Sequence, residues 1–335
     1  MDTEQRIAAF ARLGDELRNL STAELASLTE VAQSENPWFT ADNIALSLQG
    51  ITKFLDQDTL IRWLSRYDGK QVTPKTIGVV MAGNIPLVGF HDFLCVLISG
   101  HRLLAKLSSK DSVLIKHVSG KLTEVEPEFS KWINFTTEPF KEMDAVIATG
   151  SDNSARYFEY YFGKYPHIIR MNRTSVAILS GKEDKQTLTE LGKDIFSYFG
   201  LGCRNVSKLF VPESFDLTAL FKSWEPYRDV IHHHKYANNY DYQKAIALVN
   251  KTDFLDNGFV LLMEDTRLVS PISILYFEYY QNEKHLTGII ETNKEKIQCL
   301  VGSIPPATVP FGKAQLPEVW EYADNVDTME FLLRL

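Results

Sequence analysis

Through residues 1–70 apolar positions recur at helical spacing. Ile7, Phe10, Leu13, Leu17 and Leu20 form one stripe, which predicts an amphipathic helix over residues 4–20. Ser21-Thr22-Ala23-Glu24 predicts the start of a second helix, because a hydroxyl and a carboxylate three residues apart satisfy terminal N–H groups reciprocally. Asn36-Pro37 breaks the pattern, and further helices are expected over 40–55 and 59–66. None of this segment carries an obvious chemistry. Its expected use is to pack against the domain that begins near Lys75.

From Lys75 the period shortens. Thr76-Ile77-Gly78-Val79-Val80-Met81-Ala82 reads as a buried parallel strand ending in Gly83-Asn84-Ile85-Pro86. Residues 87–99 read as a helix and 102–107 as a second strand. The loop Ser108-Ser109-Lys110-Asp111 then leads into a helix through about 124. Residues 131–136 and 144–151 are expected strands, the latter running into a Gly-Ser turn before a helix over 152–162. Residues 167–171 and 175–179 read as a strand pair or one bent strand. This strand–turn–helix grammar predicts a doubly wound α/β domain, whose ligands bind at the carboxyl ends of the strands. Asn84, Lys106, Ser108, Ser109, Gly150 and Ser151 all fall at such ends. No Gly-x-Gly-x-x-Gly run is present, so the common dinucleotide fingerprint is absent.

Farther on, a helix over 183–200 leads to Gly200-Leu201-Gly202-Cys203-Arg204-Asn205, and a strand is expected over 208–211. A helix is expected over 215–224, no clear period over 227–240, and a short helix over 242–249. Strands are expected over 259–263 and after Ser270-Pro271, residues 294–300 fit helix or strand, and the tail over 318–335 is partly helical. The aromatic-rich stretches 227–242 and 276–280 read as core, with an acyl tunnel as the other reading.

The chain has 335 residues, 44% hydrophobic, which suffices for a large core and two domains. A net charge of -8 argues against nucleic acid as a partner. The polar, acidic start Met1-Asp2-Thr3-Glu4 does not read as a signal peptide, and the longest apolar run, near 85–98, is interrupted by Pro86, His91 and Asp92, so no membrane span is expected. Three dispersed cysteines, Cys95, Cys203 and Cys299, fit a reducing cytoplasm, with Cys95 and Cys299 expected in the core. His232-His233-His234 has no cysteine partners and adjacent side chains diverge, so no metal site is expected.

Cys203 behind two glycines is the candidate nucleophile. Glycine permits backbone angles that other residues resist and lets another molecule approach the main chain. A thiol there can meet a substrate beside backbone N–H groups, the two needs of covalent acyl transfer. The alternative from local sequence is a small, inert, buried residue beside a turn.

Five motifs occur in the order found in the aldehyde dehydrogenase superfamily: Gly83-Asn84-Ile85-Pro86, Ala105-Lys106-Leu107-Ser108-Ser109, Thr149-Gly150-Ser151, Gly200-Leu201-Gly202-Cys203 and Ser270-Pro271-Ile272. The run Gly-x-Gly-Cys-Arg-Asn, with Pro310-Phe311-Gly312-Lys313-Ala314-Gln315 and Tyr322-Ala323-Asp324, resembles more closely the acyl-CoA reductases typified by the LuxC-type fatty-acid reductase of luminescent bacteria. The resemblance spans about residues 72–335. It implies an aldehyde-dehydrogenase-like fold: a helical segment over 1–71, a nicotinamide-cofactor-binding domain over 72–180, a catalytic α/β domain over 181–310, and a tail over 311–335 on the cofactor domain.

The resemblance further implies a cytoplasmic oxidoreductase that reduces a fatty acyl thioester to an aldehyde and releases CoA. Cys203 would be the nucleophile, and the Asn84 amide with the Cys203 N–H would hold the oxyanion. Lys106, Ser108 and Ser109 would contact the adenosine ribose, with Gly150 and Ser151 beside the pyrophosphate. Ser109 stands where NAD-preferring relatives often carry an acid, which favours NADPH over NADH. Arg170 occupies the place of the water-activating glutamate of hydrolytic relatives, and Arg267 that of a ribose-holding glutamate. The implied partners are acyl-CoA or a carrier-bound thioester, with a homo-oligomer or an acyl-transfer subunit beside it. Other readings are a reductase of acyl phosphates and an acyl-binding or acyl-transferase subunit that keeps the cysteine without hydride transfer.

Overall fold

The computed structural model describes residues 1–67 and 72–335. The chain divides into two units, residues 1–172 with 317–335, and residues 173–316. The boundary expected at 71/72 abuts residues 68–71, which lie outside the described residues.

The first unit opens with four helices, α1 (Thr3–Arg18), α2 (Thr22–Glu35), α3 (Ala41–Phe54) and α4 (Gln57–Leu64). The Ser21–Glu24 capping box forms as its sequence dictates. Phe10, Leu13 and Leu17 of the first stripe are buried. Next in the chain come β1 (Thr76–Val80), α5 (Phe90–Ser99), β2 (Arg102–Lys106), α6 (Val113–Val125), β3 (Ile133–Phe135), β4 (Ala145–Thr149), α7 (Asp152–Phe162) and β5 (His167–Arg170). The strands form one parallel sheet in the order β3-β2-β1-β4-β5. The order reverses at β1, so β2 and β4 flank it and their carboxyl ends share one edge. The connection from β3 to β4 holds no helix. There Phe140 and Met143 cover Gly78, and a Cβ at that glycine would lie 3.0 Å from each.

The second unit contains β6 (Thr174–Ile178), α8 (Lys185–Phe196), β7 (Val206–Pro212), α9 (Thr218–Trp224), α10 (His234–Asn250), β8 (Leu255–Asp256), β9 (Leu261–Glu264), β10 (Ile274–Tyr280), α11 (Glu283–Asn293) and β11 (Ile297–Gly302). Its sheet runs β11-β6-β7-β10-β9-β8, parallel except for the short β8–β9 pair. Trp224, Phe259, Leu209 and Leu275 fill one core of this unit.

Two expectations need correction, and one helix has no counterpart among the expectations. Residues 167–171 and 175–179 are neither a pair nor one bent strand, since β5 closes the first sheet and β6 opens the second. Residues 234–250 form one helix, although the sequence shows no period over 227–240. Tyr236, Tyr240 and Ala247 are buried while Tyr242, Ile246 and Val249 are exposed, so apolar residues on both sides of α10 blur the stripe. Helix α11 leaves no clear mark in the sequence pattern, because only Leu286 and Ile290 of it are buried.

The first unit is completed by α12 (Thr328–Leu333). Met329 and Leu332 enter the same core as Phe10 and Phe93. Tyr322 accepts a hydrogen bond from the Trp63 indole at 2.7 Å. Burial of that phenol raises its pKa.

Candidate active site

In the first unit the turn after β1 is held from several directions. Asn36 donates its side-chain amide to the Gly83 carbonyl at 3.1 Å, and the Ser47 hydroxyl donates to the Pro86 carbonyl at 2.7 Å. The Leu87 N–H, on a residue with φ +58°, donates to Asp111 at 2.7 Å. A Cβ at Gly83 would lie 2.6 Å from Ser108 Oγ, so only glycine lets this turn pack on the loop after β2. Asn84 is left exposed at the tip. The opening helices therefore fasten the Asn84 turn, a role that the sequence pattern does not show. Their partners are single polar residues separated by dozens of positions.

The loop after β2 is fixed by the same network. Burial pushes the Asp111 carboxyl up to about 7, against the Leu87 hydrogen bond, and Glu35 adds to the rise. Glu35 accepts from the N–H groups of Ser112 and Val113 at 2.9 and 3.1 Å, capping α6 from outside the helix. Lys106 ends β2, and its carbonyl accepts the Met81 N–H at 3.0 Å. Ser108 is half-buried, while Ser109 and Lys110 are exposed. On the other side of β1, Gly150 comes directly after β4. Ser151 caps α7 by accepting the Ser154 N–H at 3.3 Å. Asn84, Lys106, Ser108, Ser109, Gly150 and Ser151 thus share one edge of one parallel sheet. The start of a helix of 11 residues, with Lys106 at the end of β2 and Lys110 on the loop after it, suits an anionic nucleotide.

In the second unit, α8 gives way to a strained approach to Cys203. Tyr198, Phe199 and Gly200 all take left-handed angles, with φ of +52°, +56° and +78°. Such angles cost about 1–2 kcal/mol for each residue bearing a side chain, so surrounding contacts must hold Tyr198 and Phe199 there. The Phe199 ring packs on His233 at 4.5 Å and on Tyr236 at 6.0 Å between centroids. Cys203 is exposed on the turn beyond them. The N–H groups of Leu201, Gly202 and Asn205 are taken up inside the loop, by Tyr198 O, Asn205 Oδ1 and Gly202 O. The expected row of open donors therefore does not include the Gly202 amide. Beneath the loop lies a cavity of about 30 Å³, lined by Phe199, Gly200, Ser207, Tyr236 and residues 270–274. The Ser270-Pro271-Ile272 motif thus meets the cysteine motif.

A second clasp joins this loop to residues 312–314. The Asp194 carboxylate accepts the N–H groups of Gly312 at 2.6 Å and Ala314 at 2.9 Å, while Arg204 donates to the Ala314 carbonyl at 2.5 Å. Burial pushes Asp194 up to about 6, against those two N–H bonds.

The two arginines singled out by sequence have other partners. Arg170 is buried, 2.6 Å from Asp92, with the Thr328 hydroxyl at 2.9 Å. Burial opposes its charge and Asp92 more than restores it, so its pKa is raised. Arg267 is exposed and pairs with Asp265, its guanidinium 4.9 Å from the Tyr276 ring. Cys95 and Cys299 are buried. Tyr236, Tyr240 and Tyr276 are core residues, and His232 and His234 are exposed. Among the described residues no His, Cys, Asp and Glu group has the geometry to hold a metal. Among them, too, no helix is long and apolar enough to cross a membrane.

No family model and no curated protein matches the chain. Solved structures do. An aldehyde dehydrogenase of Mycobacterium tuberculosis complexed with NAD+ is 13% identical with a TM-score of 0.65, over 90% of this chain and 73% of that one. Aldehyde dehydrogenase 21 of Physcomitrella patens, in complex with succinate, is 11% identical with a TM-score of 0.69, over 100% of this chain and 84% of that one. The NADP-dependent glyceraldehyde-3-phosphate dehydrogenase of Bacillus halodurans, complexed with NADP, is 13% identical with a TM-score of 0.62, over 91% and 75%. At such identities the likeness is one of architecture, and the chain has the aldehyde-dehydrogenase-like α/β fold.

Proposed function

We propose that this protein is an acyl-thioester reductase that forms an acyl-enzyme on Cys203, with acyl-CoA as donor and NADPH as reductant. The observation that carries the reading is Cys203 itself, exposed on a loop whose left-handed approach is fastened from several sides. Strain of this kind persists where the surroundings over-determine it, and it clusters at reactive sites.

Cys203 Sγ attacks the thioester carbonyl, and the coenzyme thiol leaves with the electron pair of the broken C–S bond. The Asn84 amide and the Cys203 N–H hold the oxyanion, each such donor contributing roughly 3–4 kcal/mol to the transition state in comparable sites. Reduced nicotinamide, when bound, would supply the hydride to the acyl carbon; the bond from that carbon to Cys203 Sγ then breaks, the sulfur keeps the electron pair, and the aldehyde leaves. Lys106, Ser108 and Ser109 bind its adenosine end, and Gly150 with Ser151 at the start of α7 binds its pyrophosphate. Two of the similar structures are complexed with NAD+ or NADP, which supports a nicotinamide partner. A neutral Ser109 beside Lys106 and Lys110 favours the 2′-phosphate. Arg170, locked to Asp92, stands where hydrolytic relatives carry a water-activating carboxylate, so the acyl group is kept for reduction.

The setting is cytoplasmic, where unbridged cysteines persist. The donor is CoA or a carrier protein, and the chain works as a homo-oligomer or with an acyl-transfer subunit.

Single-turnover mass spectrometry with a medium-chain acyl-CoA tests the proposal, with Cys203→Ala in parallel and NADPH added second. An adduct that needs Cys203 and leaves as aldehyde supports it. An adduct that NADPH cannot discharge points to an acyl-binding or transferase subunit, a reading that the exposed Arg267 in place of a ribose-holding carboxylate also allows. Absence of any adduct sinks acyl-CoA as the donor.

A further inference from the structure

Two buried polar side chains grip the backbone on either side of Cys203. Ser175, fully buried on β6, donates its hydroxyl to the Cys203 carbonyl at 3.0 Å, and its N–H donates to the Asn205 carbonyl at 3.2 Å. Asn205 is also buried. Its Oδ1 accepts the Gly202 N–H at 2.8 Å, and its Nδ2 reaches the carbonyls of Ser197 at 2.8 Å, Asp194 at 3.2 Å and Ile195 at 3.3 Å. Those carbonyls lie at the end of α8, where a helix leaves its last acceptors without partners. One carboxamide therefore closes the helix end and fixes the Leu201–Gly202 peptide, while the Asn205 N–H donates to the Gly202 carbonyl at 3.0 Å and holds the peptide that leads into the cysteine.

We propose that Ser175 and Asn205 are positioning residues for Cys203. This rests on the acyl-transfer reading above and adds to it which side chains aim the thiol. The Asn205 side chain sets the peptide one residue ahead of the cysteine's own and Ser175 sets the peptide after it. The backbone at Cys203, and with it the direction of its Cα–Cβ bond, is thereby held from both sides. The Asn205 side chain also brackets the left-handed run at Tyr198–Gly200, bonding Ser197 before it and Gly202 after it, and so resists its relaxation. Neither residue enters the bond changes. Both act through the main chain, and misplacement by an ångström is enough to cost orders of magnitude in an oriented attack.

The test is the first-turnover burst of nitrophenolate from p-nitrophenyl acetate, which needs no coenzyme A. A sulfur–carbon bond forms, the ester C–O bond breaks, nitrophenolate leaves with the electron pair, and the thiol proton passes to solvent. The full-length chain is compared with Ser175→Ala, Ser175→Thr, Asn205→Ala and, as a blank, Cys203→Ala. Alkylation by iodoacetamide, which needs no alignment of a carbonyl with donors, is followed beside it. We expect the burst rate to fall about tenfold or more in Ser175→Ala and Asn205→Ala. Ser175→Thr, which keeps the hydroxyl, should return close to the parent, with alkylation within about threefold throughout. A burst unchanged in both variants while their thermal midpoints fall would reduce the pair to fold stabilisers. Equal loss of burst and alkylation would do the same, and absence of a burst in the parent chain would overturn the idea that the thiol is poised. The expected burst pattern without any adduct from acyl-CoA would instead sink the choice of thioester and leave the positioning pair standing.

Discussion

Arg170 and Asp92 form a buried ion pair, 2.6 Å from nitrogen to oxygen, that joins the end of β5 to α5. Position 170 is therefore part of the scaffold of the first unit. Replacing Arg170 by Glu sets two carboxylates against each other. We expect a loss of roughly 3–5 kcal/mol in urea unfolding, the usual cost of leaving a buried charge unpaired. No thioester hydrolysis should appear. Hydrolysis in a stably folded Arg170→Glu chain would contradict this.

Asp111 yields a pH signature. Its carboxyl is neutral below about 7 in the folded chain and below about 4 when unfolded, so folding takes up a proton between those values. The resulting penalty is absent at pH 3, grows as pH rises and is complete above about 7. Asp111→Asn keeps an acceptor for the Leu87 N–H and removes the charge. Its stability relative to the parent should improve by roughly 2–4 kcal/mol between pH 4 and pH 8. Urea midpoints across that range would show it, and a parallel pair of curves would refute it.

How much of the fold and the site is legible in the sequence depends on the range of the interaction. Helix α7 can be read because its cap, Ser151, and its preceding strand lie within a few residues of its start. The Ser21–Glu24 box is legible for the same reason. Helix α10 is legible only over 242–249, because its first half buries just Tyr236 and Tyr240 among His, Lys and Asn, too few to mark a period. The separation of β5 from β6 is hidden, since one short apolar run looks the same in either sheet. Cys203 and the strand-end residues announce themselves through glycine and strand context. Ser175, Asn36 and Asp111, which hold them in place, act across the fold and leave no local trace.

Gly83 tests the fastening of the Asn84 turn. Gly83→Ala places a methyl 2.6 Å from Ser108 Oγ and 2.7 Å from its Cβ, and something must shift. We expect a loss of roughly 1–3 kcal/mol. The turnover number should fall more than the KM for NADPH rises, because Asn84 moves first. An unaltered turnover number would show that the turn tolerates displacement.

Ser109 tests cofactor choice. Ser109→Glu places a carboxylate beside the site proposed for the 2′-phosphate, on an exposed loop where it disturbs no packing. Affinity for NADPH, followed by its fluorescence, should fall about tenfold, the equivalent of about 1.4 kcal/mol, while NADH changes little. Equal effects on both would place the 2′-phosphate elsewhere.

The first unit is discontinuous in sequence. Thr328 bonds to Arg170, the Leu332 carbonyl meets the buried His101 ring at 2.9 Å, and Met329 and Leu332 enter the core. During synthesis the unit that begins first therefore finishes last. Residues 173–316 can reach their final form while the earlier sheet still lacks its closing helix. Until residue 333 leaves the ribosome, α5 carries exposed apolar surface and Arg170 has lost its hydroxyl partner. A released chain truncated shortly before residue 328 should expose a protease-sensitive first unit beside a resistant second one, the reverse of the usual order in which domains mature.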